Sequence, residues 1–321
     1  MKHLLLFAIL VLSIISCKNE DLLEKEISKI NTEITIERFE RLFDKVTNAS
    51  ELKKLQTAYP FMFSEDYSDT FWIEKVNDTL QKQLVAEVEK EFGNMATIEQ
   101  EIESLFNHLK YYFPSFSVPR VITVTSYVDY RNKVIVTDTI ALISLDTYLG
   151  RDHEFYQGIQ KYIADDMTKV QAVVDLASEY AKKYIYRGNT KTLLDEMVYY
   201  GKQLYFKDVM VPFKTEAQRI AYTEEELDWA KANESYIWRY FVESELLYST
   251  DSKLPSRFII DAPFSKFYLE EIDSQSPDKL GQYIGWQIVR AYMENNKVSL
   301  IEMFDASTEE IFNNSKFKPR K

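Results

Sequence analysis

The sequence is poor in the residues that build tight turns and metal sites. Its 321 residues include 7 glycines, 8 prolines, 3 histidines and 1 cysteine. Few glycines and prolines leave few tight turns, so the composition favours long elements and excludes glycine-rich phosphate loops. A single cysteine excludes an internal disulfide and cysteine-based zinc or iron–sulfur sites. We therefore expect a mainly helical protein, and we predict no metal and no cofactor.

The charge balance is acidic, with a formal net charge of −12 at pH 7. Nucleic-acid binding needs a basic surface, so the composition argues against a nucleic-acid partner. Hydrophobic residues make up 45% of the chain and charged residues 28%, which is ordinary for a folded globular protein and unlike a disordered one.

The N-terminus has the features of a bacterial lipoprotein signal. Lys2 precedes an apolar run over residues 4–15, which is too short to span a membrane comfortably. The run ends at Ser16, directly before Cys17, the only cysteine. This arrangement resembles a lipobox, and the resemblance implies removal of residues 1–16 and lipidation of Cys17. Two or more acyl chains anchor a protein stably, because each buried methylene contributes about 0.8 kcal/mol. The alternative is a plain secretory signal with a chance cysteine at its end.

Apolar residues recur at helical spacing along most of the remaining chain. The sequence Thr223-Glu-Glu-Glu226 fits a capping box, which indicates the start of one long helix. The spacing predicts helices over residues 20–47, 51–59, 78–92, 96–112, 170–185, 190–206, 223–248 and 280–294.

Three segments in the middle of the chain are rich in β-branched residues and predict a small sheet. They are Val121–Thr125, Lys133–Val136 and Thr139–Ser144. We therefore predict an α+β fold, mainly helical with one small β-sheet. Residues 17–115 are predicted to form a lipidated tether and a helical region, and residues 116–321 the sheet with the later helices. One continuous domain over residues 16–321 is the alternative.

Familiar catalytic motifs are incomplete. His153 and Glu154 begin like the zinc motif His-Glu-x-x-His, but Gln157 stands where the second histidine would be. We therefore interpret His153 as a solvated or loop-packing residue. A serine triad needs a histidine base, and neither His108 nor His153 has a nucleophile-elbow motif nearby. A carboxylate pair for glycoside hydrolysis stays open, but 51 acidic residues offer too many pairs to select one.

Five motifs form a pattern along the chain. They are the lipobox at Cys17 and the segments Ile34–Phe39, Asp146–Gly150, Gly201–Phe206 and Tyr283–Arg290. In their order and spacing they together resemble the gliding-motility-associated lipoprotein GldB family of Bacteroidetes, and the resemblance covers essentially the whole chain. The resemblance implies an envelope lipoprotein required for surface gliding, and it implies no established catalytic activity.

A more distant similarity links the sheet and the helices after it to predicted zinc peptidases of the zincin type. In those proteins a first helix carries His-Glu-x-x-His, and a second helix carries a ligand glutamate just before a glycine. Here Ser178 and Lys182 stand at the histidine positions, Glu179 matches the motif glutamate, and Tyr200 stands at the ligand glutamate. A hydroxyl and an ammonium group are poor zinc ligands, so the similarity implies a degenerate zincin-like architecture without a metal. The alternative is an ordinary amphipathic helix over residues 170–185.

These observations predict a non-catalytic component or scaffold of the gliding machinery. The predicted partners are a membrane, reached through the lipid on Cys17, and other envelope proteins. We predict a location in the cell envelope and no enzymatic activity. Two alternatives remain: an envelope hydrolase acting through carboxylates such as Glu179, and a ligand-binding lipoprotein with an aromatic groove. Tyr199, Tyr200 and the segment 236–240 are candidates for such a groove, although aromatic residues at helical spacing more often pack in a core.

Overall fold

A mixed sheet of four strands lies within a largely helical body. The computed structural model describes residues 22–188 and 191–321. The strands are β1 (Ile36–Arg38), β2 (Arg120–Val124), β3 (Val134–Val136) and β4 (Ile140–Ser144). Their order is β1-β2-β4-β3, with β1 and β4 parallel to β2 and with β3 antiparallel to β4.

Helices form most of the remaining structure, which confirms the predicted α+β class. Their bounds are α1 (22–27), α2 (Phe39–Asp44), α3 (Ala49–Ala58), α4 (Asp69–Asn77), α5 (Thr79–Phe92), α6 (Ala96–Tyr112), α7 (Lys161–Ala164), α8 (Gln171–Tyr184), α9 (Leu193–Met210), α10 (Glu216–Ile220), α11 (Glu224–Ala232), α12 (Glu234–Glu243), α13 (Leu254–Phe258), α14 (Glu270–Asp273), α15 (Leu280–Asn295), α16 (Leu300–Asp305) and α17 (Thr308–Ser315).

Two predictions about elements were wrong. The predicted sheet has a fourth strand, because β1 lies inside the segment 20–47 that we expected to be helical. Its partner is β2, far away in sequence, and Ile36 pairs with Val121 in that parallel ladder. The predicted helix over 223–248 is two helices, α11 and α12. They are separated at Asn233, whose Nδ2 donates a 2.9 Å hydrogen bond to the carbonyl of Trp229.

The sheet separates two hydrophobic cores, and β2 contributes to both because successive side chains point to opposite faces. Val121 faces a large core with α6, α8, α9 and α15, where Trp286 is fully buried. Ile122 and Val124 face a smaller core with Phe39 from α2 and with α3 and α4. Burial of both faces explains why the central strands are continuously apolar. The domain boundary near residue 115 stays a prediction, although β1 and β2, which lie on opposite sides of it in the sequence, pair in one ladder.

The helices α9 and α15 touch backbone to backbone at two glycines. A Cβ atom on Gly285 would lie 1.8 Å from the carbonyl oxygen of Met197, and a Cβ atom on Gly201 would lie 2.3 Å from the carbonyl oxygen of Gly285. Real Cβ atoms do not come this close to backbone atoms, so neither site accepts a side chain unless the helices separate. The two glycines therefore fix how closely the two central helices pack.

We expect Gly285→Ala to lower the free energy of unfolding by about 3 kcal/mol or more, because the added methyl group overpacks a contact between two backbones. The matched control is Gly158→Ala, where a Cβ atom would meet nothing within 4 Å. This control is expected to change the free energy of unfolding by no more than about 1 kcal/mol. Urea unfolding of the purified proteins measures both values, and equal effects of the two substitutions would contradict the glycine contact.

Candidate functional site

Three of the four peptidase-like positions lie on α8, where all three side chains have partners on their own helix. The hydroxyl of Ser178 donates a 2.9 Å hydrogen bond to the carbonyl of Val174. Lys182 forms an ion pair with Glu179 at the surface, where the side chains are 55% and 31% exposed. These contacts are ordinary for an amphipathic helix, and they do not arrange the side chains as ligands around a metal position.

The fourth position, Tyr200, is half-buried on α9. Its ring packs edge-on against Tyr199, and the guanidinium of Arg187 lies 6.0 Å from its ring centroid. Among the described residues, no hydrogen bond or ion pair joins Tyr200 to Ser178, Glu179 or Lys182. Residues 22–188 and 191–321 contain no group of three or more His, Cys, Asp or Glu side chains arranged to hold a metal ion.

The histidines His108 and His153 have different surroundings. His153 precedes a 3-10 turn at Glu154–Tyr156, so it does not start a helix as the zinc motif requires. Its Nδ1 accepts from the backbone of Phe155, which confirms the interpretation as a loop-packing residue. His108 is buried in α6, with its Nδ1 2.8 Å from the carbonyl oxygen of Ser104.

The structure reveals a charged site that no sequence motif indicated. Three lysines and four aspartates from separate segments meet beside the large core. We call them the lysine–aspartate cluster: Lys133, Lys207, Lys279, Asp166, Asp175, Asp261 and Asp278.

Lys279 is the centre of this cluster. Its side chain is almost fully buried, and its Nζ lies 3.1 Å from Asp261, 3.6 Å from Asp278 and 3.7 Å from Asp166. Burial acts to lower the pKa of Lys279, but the combined attraction of the three carboxylates raises it well above the ordinary value. Its backbone has a φ of 50°, a left-handed conformation that is uncommon for a residue with a side chain. Lys279 therefore occupies a strained position directly before α15 and remains charged there.

Burial shifts the pKa values of three other members of the cluster. It raises the pKa of Asp278 to about 7 and that of Asp166 to about 6, against the opposing attraction of Lys279. Burial also lowers the pKa of Lys207 to about 8. Lys207 is 9% exposed, and its ammonium forms no hydrogen bond or ion pair with the residues that the structure describes. Such a group costs stability, so it is a candidate for a functional role.

The motif Asp146–Gly150 supports the far side of the cluster. Tyr148 donates a 2.8 Å hydrogen bond to Asp175, which also pairs with Lys133. Asp146 accepts hydrogen bonds from the backbone of Ser126 at 2.9 Å and of Val128 at 2.8 Å. These bonds hold a loop in which two successive side-chain-bearing residues have positive φ. The motif therefore positions a strained loop and the partner of Lys133.

The predicted aromatic groove is only partly present. Tyr236 and Tyr240 line an open groove of about 550 Å³ between α12 and α14. Trp238 points elsewhere and packs against Phe312 and Phe317 near the C-terminus. Tyr199 lines a separate cavity of about 260 Å³. Some of these aromatic residues thus line a groove or cavity and others pack within the protein. Both interpretations of aromatic residues at helical spacing therefore apply in part.

The class of protein defined by this geometry is an α+β protein with a large helical core and a buried charged cluster. Comparison with family models is more specific. The family described as gliding motility protein GldB matches residues 20–319. The chain belongs to this family, which confirms the resemblance seen in the sequence and implies a part in gliding motility. The family label also designates lipoproteins, which favours a membrane-anchored envelope protein.

No curated protein and no solved structure matches the chain. The similarity to zincin-type peptidases therefore stays a prediction from short sequence segments.

We expect Lys207→Met to increase the free energy of unfolding by roughly 3 kcal/mol at pH 7, because burial penalises the charged ammonium. The folded-state pKa of about 8 lies below that of the unfolded chain, so the unfolded chain binds more protons between about pH 8 and 10.5. Wild-type stability should therefore rise with pH across this range relative to the variant, and urea unfolding at several pH values measures the difference.

The matched control is Lys202→Met. Burial also lowers the pKa of Lys202 to about 8, but its ammonium donates to the carbonyls of Phe304 at 2.8 Å and Ala306 at 2.7 Å. Removing it leaves two acceptors without a donor, so this variant should be destabilised. Destabilisation of Lys207→Met by a similar amount would contradict the absence of a partner for Lys207.

Proposed function

We propose that this protein is a lipid-anchored, non-catalytic component of the gliding machinery and that it acts by binding other envelope proteins. The observation that carries the proposal is the family match over residues 20–319. The side chains at the peptidase-like positions support the non-catalytic part. A serine whose hydroxyl bonds its own helix, a lysine paired with a glutamate and a tyrosine are poor ligands for zinc.

The proposed anchor is the lipid on Cys17, which lies outside the described residues. The described structure starts at residue 22, in α1, so only a short tether would separate the lipid from the folded body. In the part of the chain that the structure describes, no helix is both long enough and apolar enough to cross a membrane.

The non-catalytic role predicts that a strain lacking the gene regains full surface spreading when it expresses the Glu179→Gln variant. The substitution removes the only carboxylate at the peptidase-like positions and retains its shape. A matched control is Lys182→Gln, which removes the partner of Glu179 and is also expected to restore spreading. Loss of spreading with Glu179→Gln alone, at unchanged protein abundance, would favour a hydrolase.

The anchor predicts a different result for Cys17→Ala. This variant should fold normally, leave the membrane fraction and fail to restore spreading, because the body loses its only proposed attachment. Fractionation of cells, together with a spreading assay, tests both consequences. A membrane-bound Cys17→Ala variant, or a deletion strain that still glides, would contradict the proposal.

A further inference from the structure

A polar cavity of about 250 Å³ adjoins the lysine–aspartate cluster. It lies between the N-terminal ends of α8 and α11 and the segment that leads into α15. Its wall includes three members of the cluster, Asp166, Asp278 and Lys279, together with Gln171 at the start of α8 and Arg151. The cavity is distinct from the peptidase-like positions, which lie further along α8 and on α9.

Hydrogen-bond acceptors in this wall outnumber the donors available to them. Asp166 accepts no hydrogen bond from the described residues, and its nearest cation, Lys279, is 3.7 Å away. One oxygen of Asp278 accepts from the backbone of Ala262 at 3.1 Å, while the other lies 3.6 Å from Lys279. The side chains of Asp166 and Asp278, which line the cavity, therefore keep acceptor positions without a donor.

Gln171 provides an independent sign of a missing partner. The residue is only 6% exposed, and its Nε2 donates to the carbonyl of Gln218 at 3.2 Å. Its Oε1 is buried and has no hydrogen-bond partner among the described residues. A buried acceptor without a donor costs stability, so a ligand that supplies the donor would be favoured.

The charges of the wall indicate the sign of that ligand. Four acidic side chains line the cavity, those of Asp165, Asp166, Glu226 and Asp278, against the two cations Arg151 and Lys279. Burial raises the pKa values of Asp166 and Asp278, and a cation bound beside them would favour their ionised forms. Both cations have carboxylate neighbours, since Arg151 lies 3.9 Å from Asp165 and Lys279 contacts the cluster.

The helix ends beside the cavity do not reverse the preference for a cation that these charges indicate. At the start of α8, the backbone N–H groups of Gln171 and Ala172 already donate to Thr168 and Lys169. The first turn of α11 is closed by a capping box between Thr223 and Glu226. The backbone N–H groups of Gln171, Ala172, Thr223 and Glu226 are therefore occupied and do not attract an anion.

We propose that this cavity binds an organic cation rich in N–H donors, a guanidinium or primary ammonium group, carried either by a small molecule or by a basic side chain of a partner protein. Such a group matches the surplus of carboxylate and amide acceptors, and a guanidinium offers five donors in a planar fork. The assignment is independent of the proposed role in gliding.

Calorimetric titration of the purified full-length protein with agmatine and with cadaverine tests the proposal. We expect saturable binding of one equivalent of at least one of these cations. Asp166→Asn and Gln171→Met should each weaken it about ten-fold, because each removes acceptors while leaving a residue of similar size. If Asp166→Asn does not fold, Asp278→Asn replaces it. The control Glu65→Gln removes an exposed acid outside the cavity and should leave the affinity unchanged.

A tripeptide with a central arginine distinguishes the two sources of the cation. Binding of agmatine with exclusion of the tripeptide supports a small-molecule site, and comparable binding of both supports a partner side chain. Three results would overturn the proposal. The first is no binding of either cation at 10 mM, which corresponds to a binding free energy of roughly −2.7 kcal/mol or weaker. The others are unchanged affinity in all the cavity variants and preferential binding of inorganic phosphate. None of these outcomes bears on the spreading assays, so failure here is distinguishable from failure of the proposed function.

Discussion

The close approach of α9 and α15 is the constraint on which the rest of the structure depends. Gly201 and Gly285 let the two backbones touch, and any side chain at either position would force them apart. Because Lys207 lies on α9 and Lys279 directly precedes α15, this contact also determines where two of the three cluster lysines lie. A packing requirement in the core thus sets the geometry of the charged site.

The motifs that carry the family resemblance are largely structural in this protein. Gly201 and Gly285 each belong to one of them, and both serve the helix contact. In the segment Tyr283–Arg290, Trp286 and Arg290 both donate to Asp208 of α9, at 2.8 Å and 2.7 Å. Residues that recur for packing reasons can identify a family without identifying a reaction. This distinction explains how the family can be recognised from the sequence while its chemistry is not.

Local sequence patterns predicted the elements in which buried residues recur at a regular helical or strand spacing. The spacing of apolar residues located α8 and α15, and the β-branched segments located β2, β3 and β4. The same reasoning missed β1, because apolar residues there also fit a helix and the strand is stabilised by a partner distant in sequence. It also missed the break at Asn233, since residues on both sides of it, such as Leu227 and Phe241, pack in the same core.

The lysine–aspartate cluster could not be predicted for a related reason. Lysines and aspartates are usually solvated, and here all but the adjacent Asp278 and Lys279 come from different segments, so only the fold brings them together. One local signal was available at Lys207. It lies one turn after Gln203 and just before Met210, on a face of α9 that is otherwise buried. A lysine on such a face indicates either a snorkelling side chain or a buried charge, and sequence alone does not separate the two.

We expect α9 and α15 to form the most stable part of the fold, and native-state hydrogen exchange measures this local stability directly. Amides in the middle of both helices, over residues 198–206 and 283–289, should exchange only through global unfolding. Their protection free energies should equal the free energy of unfolding, whereas amides of the short surface helix α14 should exchange through local opening. Exchange of the α9 and α15 amides at or above the rate of α14 would contradict the claim that the glycine contact holds the structure together.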